Sequence, residues 1–441
     1  MSVWQFLLLA LVVIGALGWA FRAVGQAATG NAPFFRDMPY GVAFGYVLAA
    51  AALIGSVWLY TQDGAVFFRW AVQGLIGFAV AAYLFRLLGQ TVGPPASRKL
   101  FRQMPLTASF GILVIIIYAI LSIFAGPISV VFIAGLGIAA VVVVELSRRS
   151  STNDTHQVVV MIALLTVALF ILMYFIGPLA PHGQEEVFPI ANITPGGDPA
   201  MNGDPAFPLG TDQIGRDILS RLIYGAQNTV GIAFATTCLA FFLGGTFGFL
   251  AATLGGWLDQ VLSRAVDVLM AIPALIFALL LMTIASVWAP RLGIPLTFFM
   301  VIIIAVIDST RVFRLARAVG TQIVVMDYIE AAKLRGEGLP YLIFREILPN
   351  ATAPLLAEFG LRFCFVFLTI ASLSFLGLGI QPPLADWGTM VKDLSQFINF
   401  AQFAPNVAAA PLLAAGAIAL LTVAVNFVVD WMLHRSSGLK E

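Results

Sequence analysis

The stretch Met326-Asp327-Tyr328-Ile329-Glu330-Ala331-Ala332-Lys333-Leu334-Arg335-Gly336 decides how this sequence is read, because it sets small and charged helix formers between two long apolar runs. Asp327 stands where it can cap a helix, and Glu330 follows three residues later, the capping-box spacing. Ala331 and Ala332 are strong helix formers with almost no side-chain bulk. Gly336 and Gly338 end that helix, Pro340 suits the first turn of another, and Pro349 stops the second one after Leu342, Ile343 and Phe344. The pattern predicts two short helices with a smooth Ala-Ala surface between charges. Two readings stay open on these signals: a solvated helical connector, or a surface that docks in a groove of another protein because small side chains allow close backbone approach.

What lies around this stretch is apolar. Of the 441 residues, 60% are hydrophobic and 10% are charged, against about 45–50% and about 25% in soluble domains. A chain of this composition needs the bilayer as its solvent. The expected fold class is an all-α polytopic membrane protein. Runs able to cross a hydrocarbon core of about 30 Å fall near 4–21, 41–60, 66–88, 107–126, 128–146, 158–178, 227–254, 266–288, 294–310, 353–379 and 408–433. The first run reads as a retained helix, since Met1 to Gln5 carries no Lys or Arg. The net charge of +1 and the lack of Lys/Arg clusters interleaved with aromatics exclude a nucleic-acid partner. Cys238 and Cys364 lie inside apolar runs and read as small buried hydrophobes.

Lys and Arg placement orients the spans. Arg98, Lys99 and Arg102 mark one cytoplasmic loop, and Arg148 and Arg149 a second. Arg311, Arg314, Arg317, Lys333, Arg335 and Arg345 mark a third, 311–352, and His434, Arg435 and Lys440 close the chain on the same side. About eleven spans satisfy these with the N-terminus outside and the C-terminus cytoplasmic. Residues 179–226 then form a long external segment, and 380–407 a second one. The end of the first, Asp217 to Gln227, is amphipathic, with Ile218, Leu219, Leu222 and Ile223 on one face.

The string Glu330-Ala331-Ala332, with Gly336 and then Leu348-Pro349, resembles the EAA loop of bacterial ABC importer permeases. Glu346 stands where the broad family often has Ile, a variation familiar in the branch of dipeptide, oligopeptide and nickel permeases. Three more blocks resemble that branch: Pro208-Leu209-Gly210-Thr211-Asp212, with Gly215-Arg216-Asp217; Asp267 to Pro273 at the start of a span; and Leu373 to Pro383 with Trp387-Gly388. Together they look like the C-type member of the permease pair. The resemblance implies a type I permease core of about six helices in a bacterial inner membrane, importing peptides or similar small solutes. It implies that Glu330, Ala331, Ala332, Gly336, Leu348 and Pro349 couple the chain to ATPase subunits. The implied partners are a second permease forming a heterodimer, one or two ATPases, a periplasmic solute-binding protein and membrane lipid.

No phosphate-cradling Gly-x-x-x-x-Gly-Lys-Ser/Thr loop and no His-Glu-x-x-His occur, so the chain is expected to be no enzyme and to hold no cofactor. ATP and Mg would be bound by the partner ATPases. In the external block, Asp212 is placed to cap the following helix, and Asp212, Arg216 and Asp217 to form a local ion-pair cluster, with contact to a binding protein or to the peptide backbone as the lesser reading. Glu358 and Arg362, four apart on one helix face, read as a paired lock near the cytoplasmic end of their span, with direct substrate contact as the lesser reading. Asp308 and Asp430 read as interfacial. Gly244, Gly245 and Gly248 smooth one helix for close packing. About five helices precede the core-like part. Residues 1–96 read as accessory helices, 97–157 as further accessory helices or an insertion, and 158–441 as the core. Arg98 to Pro105 also resembles the start of a first permease helix, which leaves that boundary open. Two rivals are an ion-coupled secondary transporter, whose paired midplane carboxylates are lacking, and a non-transporting scaffold.

Overall fold

The computed structural model describes residues 66–91, 95–127, 177–195, 202–400 and 405–436, with scattered helical positions before residue 177. The runs near 4–21, 41–60, 128–146 and 158–178 lie outside the described residues, or almost so. The chain divides into two compact units, Met1–Gly77 and Phe78–Glu441. The boundary falls within helix α1, Val66–Thr91.

Beyond α1 the described residues are helices and connecting loops. They are α2 (Pro95–Gln103), α3 (Leu106–Phe124), α4 (Ile218–Gly225), α5 (Gly231–Leu254), α6 (Gly256–Ala271), α7 (Ala274–Leu292), α8 (Leu296–Val324), α9 (Asp327–Leu334), α10 (Leu348–Phe375), α11 (Trp387–Leu394) and α12 (Ala410–Ser436). Among the described residues, seven stretches are long and apolar enough to cross a membrane: Gln73–Thr91, Leu106–Phe124, Ile218–Leu254, Ala274–Leu292, Leu296–Val324, Pro354–Phe375 and Ala410–His434. The chain is therefore an all-α polytopic membrane protein.

Small residues decide the closest packing. Gly244 and Gly248 of α5 face α8, where a Cβ would press on the Ser309 carbonyl and Val312, or on Phe313 and Ala316. The two helices approach backbone to backbone, as small-residue faces permit in lipid. Gly245, on another face of α5, meets nothing. Helix α3 lies against α12 in the same way: Gly111 abuts the Ala424 carbonyl, Phe110 and Phe427 meet edge-on at 6.4 Å, and the Tyr118 hydroxyl donates to Ala417 O at 3.0 Å. Val114 and Tyr118 of α3 belong to one buried cluster with Phe363 and Phe367 of α10, Trp387 of α11 and Leu421 of α12. At the far end of α3 the chain returns to it, with Leu179 N donating to Phe124 O at 3.0 Å.

Several boundaries differ from the expected ones. The run 266–288 is two helices, because Pro273 has no N–H to continue α6 and holds Ile272 extended. The run 294–310 does not end before the basic stretch. Nothing between Arg311 and Val324 breaks a helix, and Gly320 packs on Phe249 and Ala252, so α8 carries Arg311, Arg314 and Arg317 along its length. The first third of the segment 311–352, up to Val324, is thus helix continuation. The run 227–254 starts earlier, at Ile218, through a π turn at Ala226–Val230. Pro349 does not stop the chain: the wide π turn Leu342–Ile347 precedes it, and Pro349 sits in the first turn of α10, where a missing N–H is tolerated. The loop 380–407 contains α11. Cys364 is buried but Cys238 is exposed, because it falls on the outward face of α5.

Candidate functional site

Helix α9 is small, and its position follows from two buried side chains. Ile329 and Ala332 are wholly buried against Ile323 of α8, Phe249 of α5 and the apolar π turn at Leu342, Ile343 and Ile347. Ala332 must be small because it faces this contact, whereas Ala331 points outward with Glu330 and Lys333. The expected Ala-Ala surface is thus split between the inside and the outside. Met326, not Asp327, is the N-cap; Asp327 opens the first turn, where a carboxylate suits the helix dipole. The helix closes on Gly336 at φ +82°, with Gly336 N to Lys333 O at 2.9 Å and Glu337 N to Ala332 O at 3.2 Å. That is a Schellman cap, and the left-handed residue is why glycine stands there. Leu348 joins the apolar contact beneath α9, and Pro349 is exposed.

The outer face of this region is apolar as well as charged. Leu334 is 84% exposed and Val325 is 77% exposed, with Met326, Tyr328 and Phe344 also open. Two ion pairs fasten the neighbouring α6 to α8. Arg317 grips Asp259 through both carboxylate oxygens, and Arg314 Nη2 lies 2.6 Å from Asp267 Oδ1. Hydrogen bonding from Arg317 holds the Asp259 carboxyl below the usual carboxylate range. None of the side chains of α6 is buried.

The external block forms a self-supporting cap. Gly210 and Gly215 adopt φ of +80° and +85°, each with a backbone carbonyl from 188–193 where a Cβ would be. Thr211 Oγ1 accepts from Ile193 N at 3.0 Å. Asp212 does not cap a helix. Its oxygens take the Ile214 and Arg216 N–H groups at 3.1 and 2.9 Å, and Arg216 Nε at 2.7 Å. Asp217 is the N-cap of α4, accepting from Leu219 N and Ser220 N at 3.1 Å, and it meets His182 Nδ1 at 3.0 Å. It therefore leaves the expected cluster, and Asp393 of α11 joins instead, 3.4 Å from Arg216 Nη2. Pro208 is exposed and Leu209 packs on the core.

The third block is buried around Trp387. Its Nε1 donates to Leu222 O at 2.9 Å, Gly225 leaves room for its ring, and Gly388 abuts the Ala371 carbonyl. Asp386, fully buried, caps α11 through Thr389 N at 2.9 Å and accepts from Thr229 Oγ1 at 2.8 Å. Burial raises the Asp386 carboxyl above its ordinary value, against these hydrogen bonds. His182, Asp386 and Asp393 were not singled out in the sequence; the Trp-Gly pair beside Asp386 was the nearest signal.

Within the spans, Arg362 Nε lies 2.6 Å from Glu358 Oε1. Asp308 of α8 joins at 3.8 Å from Arg362 Nη1. Asp308 is buried, and Glu358 and Arg362 stand fifth and ninth in the apolar span Pro354–Phe375, in its first turns as expected.

A multi-pass helical membrane protein with a small helix set outside its spans, closed by a glycine and open on its outer side, has the make-up of a transport permease. The description "binding-protein-dependent transport system inner membrane component" fits residues 244–437. The dipeptide transport system permease protein DppC of Haemophilus influenzae is 36% identical over 246 residues, which are 55% of this chain and 79% of that protein. DppC of Escherichia coli is 36% identical over 274 residues, 62% of this chain and 85% of that protein. The di/tripeptide permease DppC of Pseudomonas aeruginosa is 32% identical over 270 residues, 60% and 84%. The chain belongs to the family of ABC importer permeases of the dipeptide/oligopeptide branch, as a multi-pass inner-membrane transport component.

Proposed function

We propose that this chain is one of two different permeases in an ATP-driven importer of short peptides, and that α9 carries the force of ATP hydrolysis into it. The single observation that carries the coupling is the outer face of α9, where Leu334, Val325 and Met326 stand exposed beside Glu330 and Lys333 at the end of α8. Aqueous apolar side chains of this size on a short anchored helix fit a groove on another protein. ATP and Mg would be held by the ATPase subunits that supply that groove. The named relatives support peptides as the cargo and a binding protein as the donor. The N-terminus lies outside and the C-terminus in the cytoplasm, as the Lys and Arg distribution indicates.

In this account α3 is the first helix of the core, since it shares the buried cluster with α10, α11 and α12. Residues 128–176 are then an insertion between α3 and the external cap, and residues 1–96 an accessory part. ATPase movement displaces α9, and with it α8 and α10, which alternates the pathway between its two openings. The test is uptake of a labelled dipeptide into proteoliposomes holding the complete complex, with loaded binding protein added outside. ATP-dependent accumulation is expected. Uptake driven by an ion gradient without ATP would contradict the proposal.

A further inference from the structure

The chain between α9 and the body of α10 has a weakened backbone ladder. Leu342–Ile347 is a π turn, in which Leu348 N reaches back to Ile343 O instead of the carbonyl four residues before it. Such turns are rare in helical runs and recur at functional sites. The turn runs into α10 without a break, so Pro349 and Pro354 each take one N–H out of a continuous ladder. In the same stretch the Asn350 amide donates to Glu346 O at 2.7 Å, and the Thr352 hydroxyl to Leu348 O at 2.8 Å. Prolines and π turns are the places where helices bend.

This stretch also has room on one side. An apolar groove of about 530 Å³ separates it from α5, lined by Gly245 and Phe249 of α5 and by Ile343, Leu348, Thr352 and Leu355 opposite. A Cβ at Gly245 would meet nothing, whereas Gly244 and Gly248 are pressed on α8. Contacts close the groove at both ends. Phe249 belongs to the buried cluster of Ile343 and Ile347 beneath α9. At the other end Phe359 of α10 meets Phe241 of α5, 5.1 Å between ring centres. Beyond Phe359, Arg362 is held by Glu358 and Asp308, and Phe363 and Phe367 enter the main core. Helix α10 is thus fixed from Phe359 onward and soft before it.

Resting on the reading of α9 as the ATPase dock, we propose that Leu342–Pro354 is a hinge that bends into the groove beside Gly245 when α9 is displaced. The bend swings the start of α10 against α5 and leaves the part beyond Phe359 seated. The pathway then changes at the α9 end while the Trp387 core and the external cap keep their packing. Gly245 stands where no static contact asks for a glycine, and the hinge supplies the reason: a side chain there would occupy the space into which α10 moves.

The test measures dipeptide uptake, ATP hydrolysis and melting temperature on the complete complex in proteoliposomes. Gly245→Leu fills the groove without touching α9. Its melting temperature and basal ATP hydrolysis should hold, and uptake should fall about tenfold, the factor given by an overpacking cost of about 1.4 kcal/mol in the bent state. Gly245→Ala, which leaves most of the groove open, should import at close to the wild-type rate. Pro354→Ala restores an N–H to the ladder, so it should melt higher and import more slowly. Wild-type uptake in Gly245→Leu or in Pro354→Ala, with melting kept, overturns the hinge and leaves the importer intact. Lost uptake with lowered melting in both variants overturns it too, since a folding defect then accounts for the loss. A wild-type complex that takes up no dipeptide with ATP overturns the importer reading, and this inference with it.

Discussion

Leu334 gives the coupling account its sharpest test. It occupies the last turn of α9, is 84% exposed, and makes no contribution to the contact that Ile329 and Ala332 make beneath. Leu334→Ala removes about three methylene equivalents. At about 0.8 kcal/mol each when buried, docking of an ATPase groove over this side chain loses about 2 kcal/mol, or about 30-fold in affinity. The fold should not suffer, since alanine is at least as good a helix former and no internal contact is lost. The assay titrates purified ATPase subunits against the permease pair in nanodiscs and follows both binding and stimulated ATP hydrolysis. The melting temperature of the permease pair serves as control. Weakened binding with an unchanged melting temperature is the expected outcome. Wild-type affinity and full coupling in Leu334→Ala would refute the docking role of this face.

Gly244→Ala drives a methyl group into the Ser309 carbonyl and Val312 of α8, so it should destabilise the α5–α8 pair by about 1–3 kcal/mol. Gly245→Ala, which meets open space, should be neutral; melting in detergent separates the two. Asp386→Leu leaves the Thr229 hydroxyl and Thr389 N–H without their acceptor, a loss of about 3 kcal/mol, whereas Asp386→Asn keeps an oxygen there. Because burial raises the Asp386 carboxyl, the folded protein holds that proton more tightly than the unfolded chain. This group's contribution to stability is therefore full below the unfolded value and declines as pH rises through the raised folded one. Melting temperatures across that window should fall in the wild type and lose that component in Asp386→Asn.

The helix-forming stretch around Glu330 was legible because its signals are local: helix formers, a terminating Gly336 and a following proline. The identity of the cap was not, since Met326 and Asp327 differ by one position and only the backbone geometry chooses between them. Glu358 and Arg362 were legible as neighbours by their spacing on one helix. Asp308 was not, because its pairing with Arg362 depends on how α8 crosses α10. The same holds for His182 with Asp217 and for Asp393 with Arg216, which are joined only in the folded chain. Asp212 misled because an acidic residue ahead of an amphipathic run looks like a cap, while Asp217 sits closer and performs that role. Extending α8 through its basic stretch required knowing that Gly320 packs on α5, which hydropathy alone does not register.

The most direct measurement is affinity purification of the tagged chain from its own membranes in mild detergent, with the co-purifying proteins identified and ATP hydrolysis measured. The account predicts a second, different permease together with one or two ATPase subunits, and hydrolysis that rises when loaded binding protein is added. A homo-oligomer that retains no ATP-hydrolysing subunit under gentle extraction would contradict it.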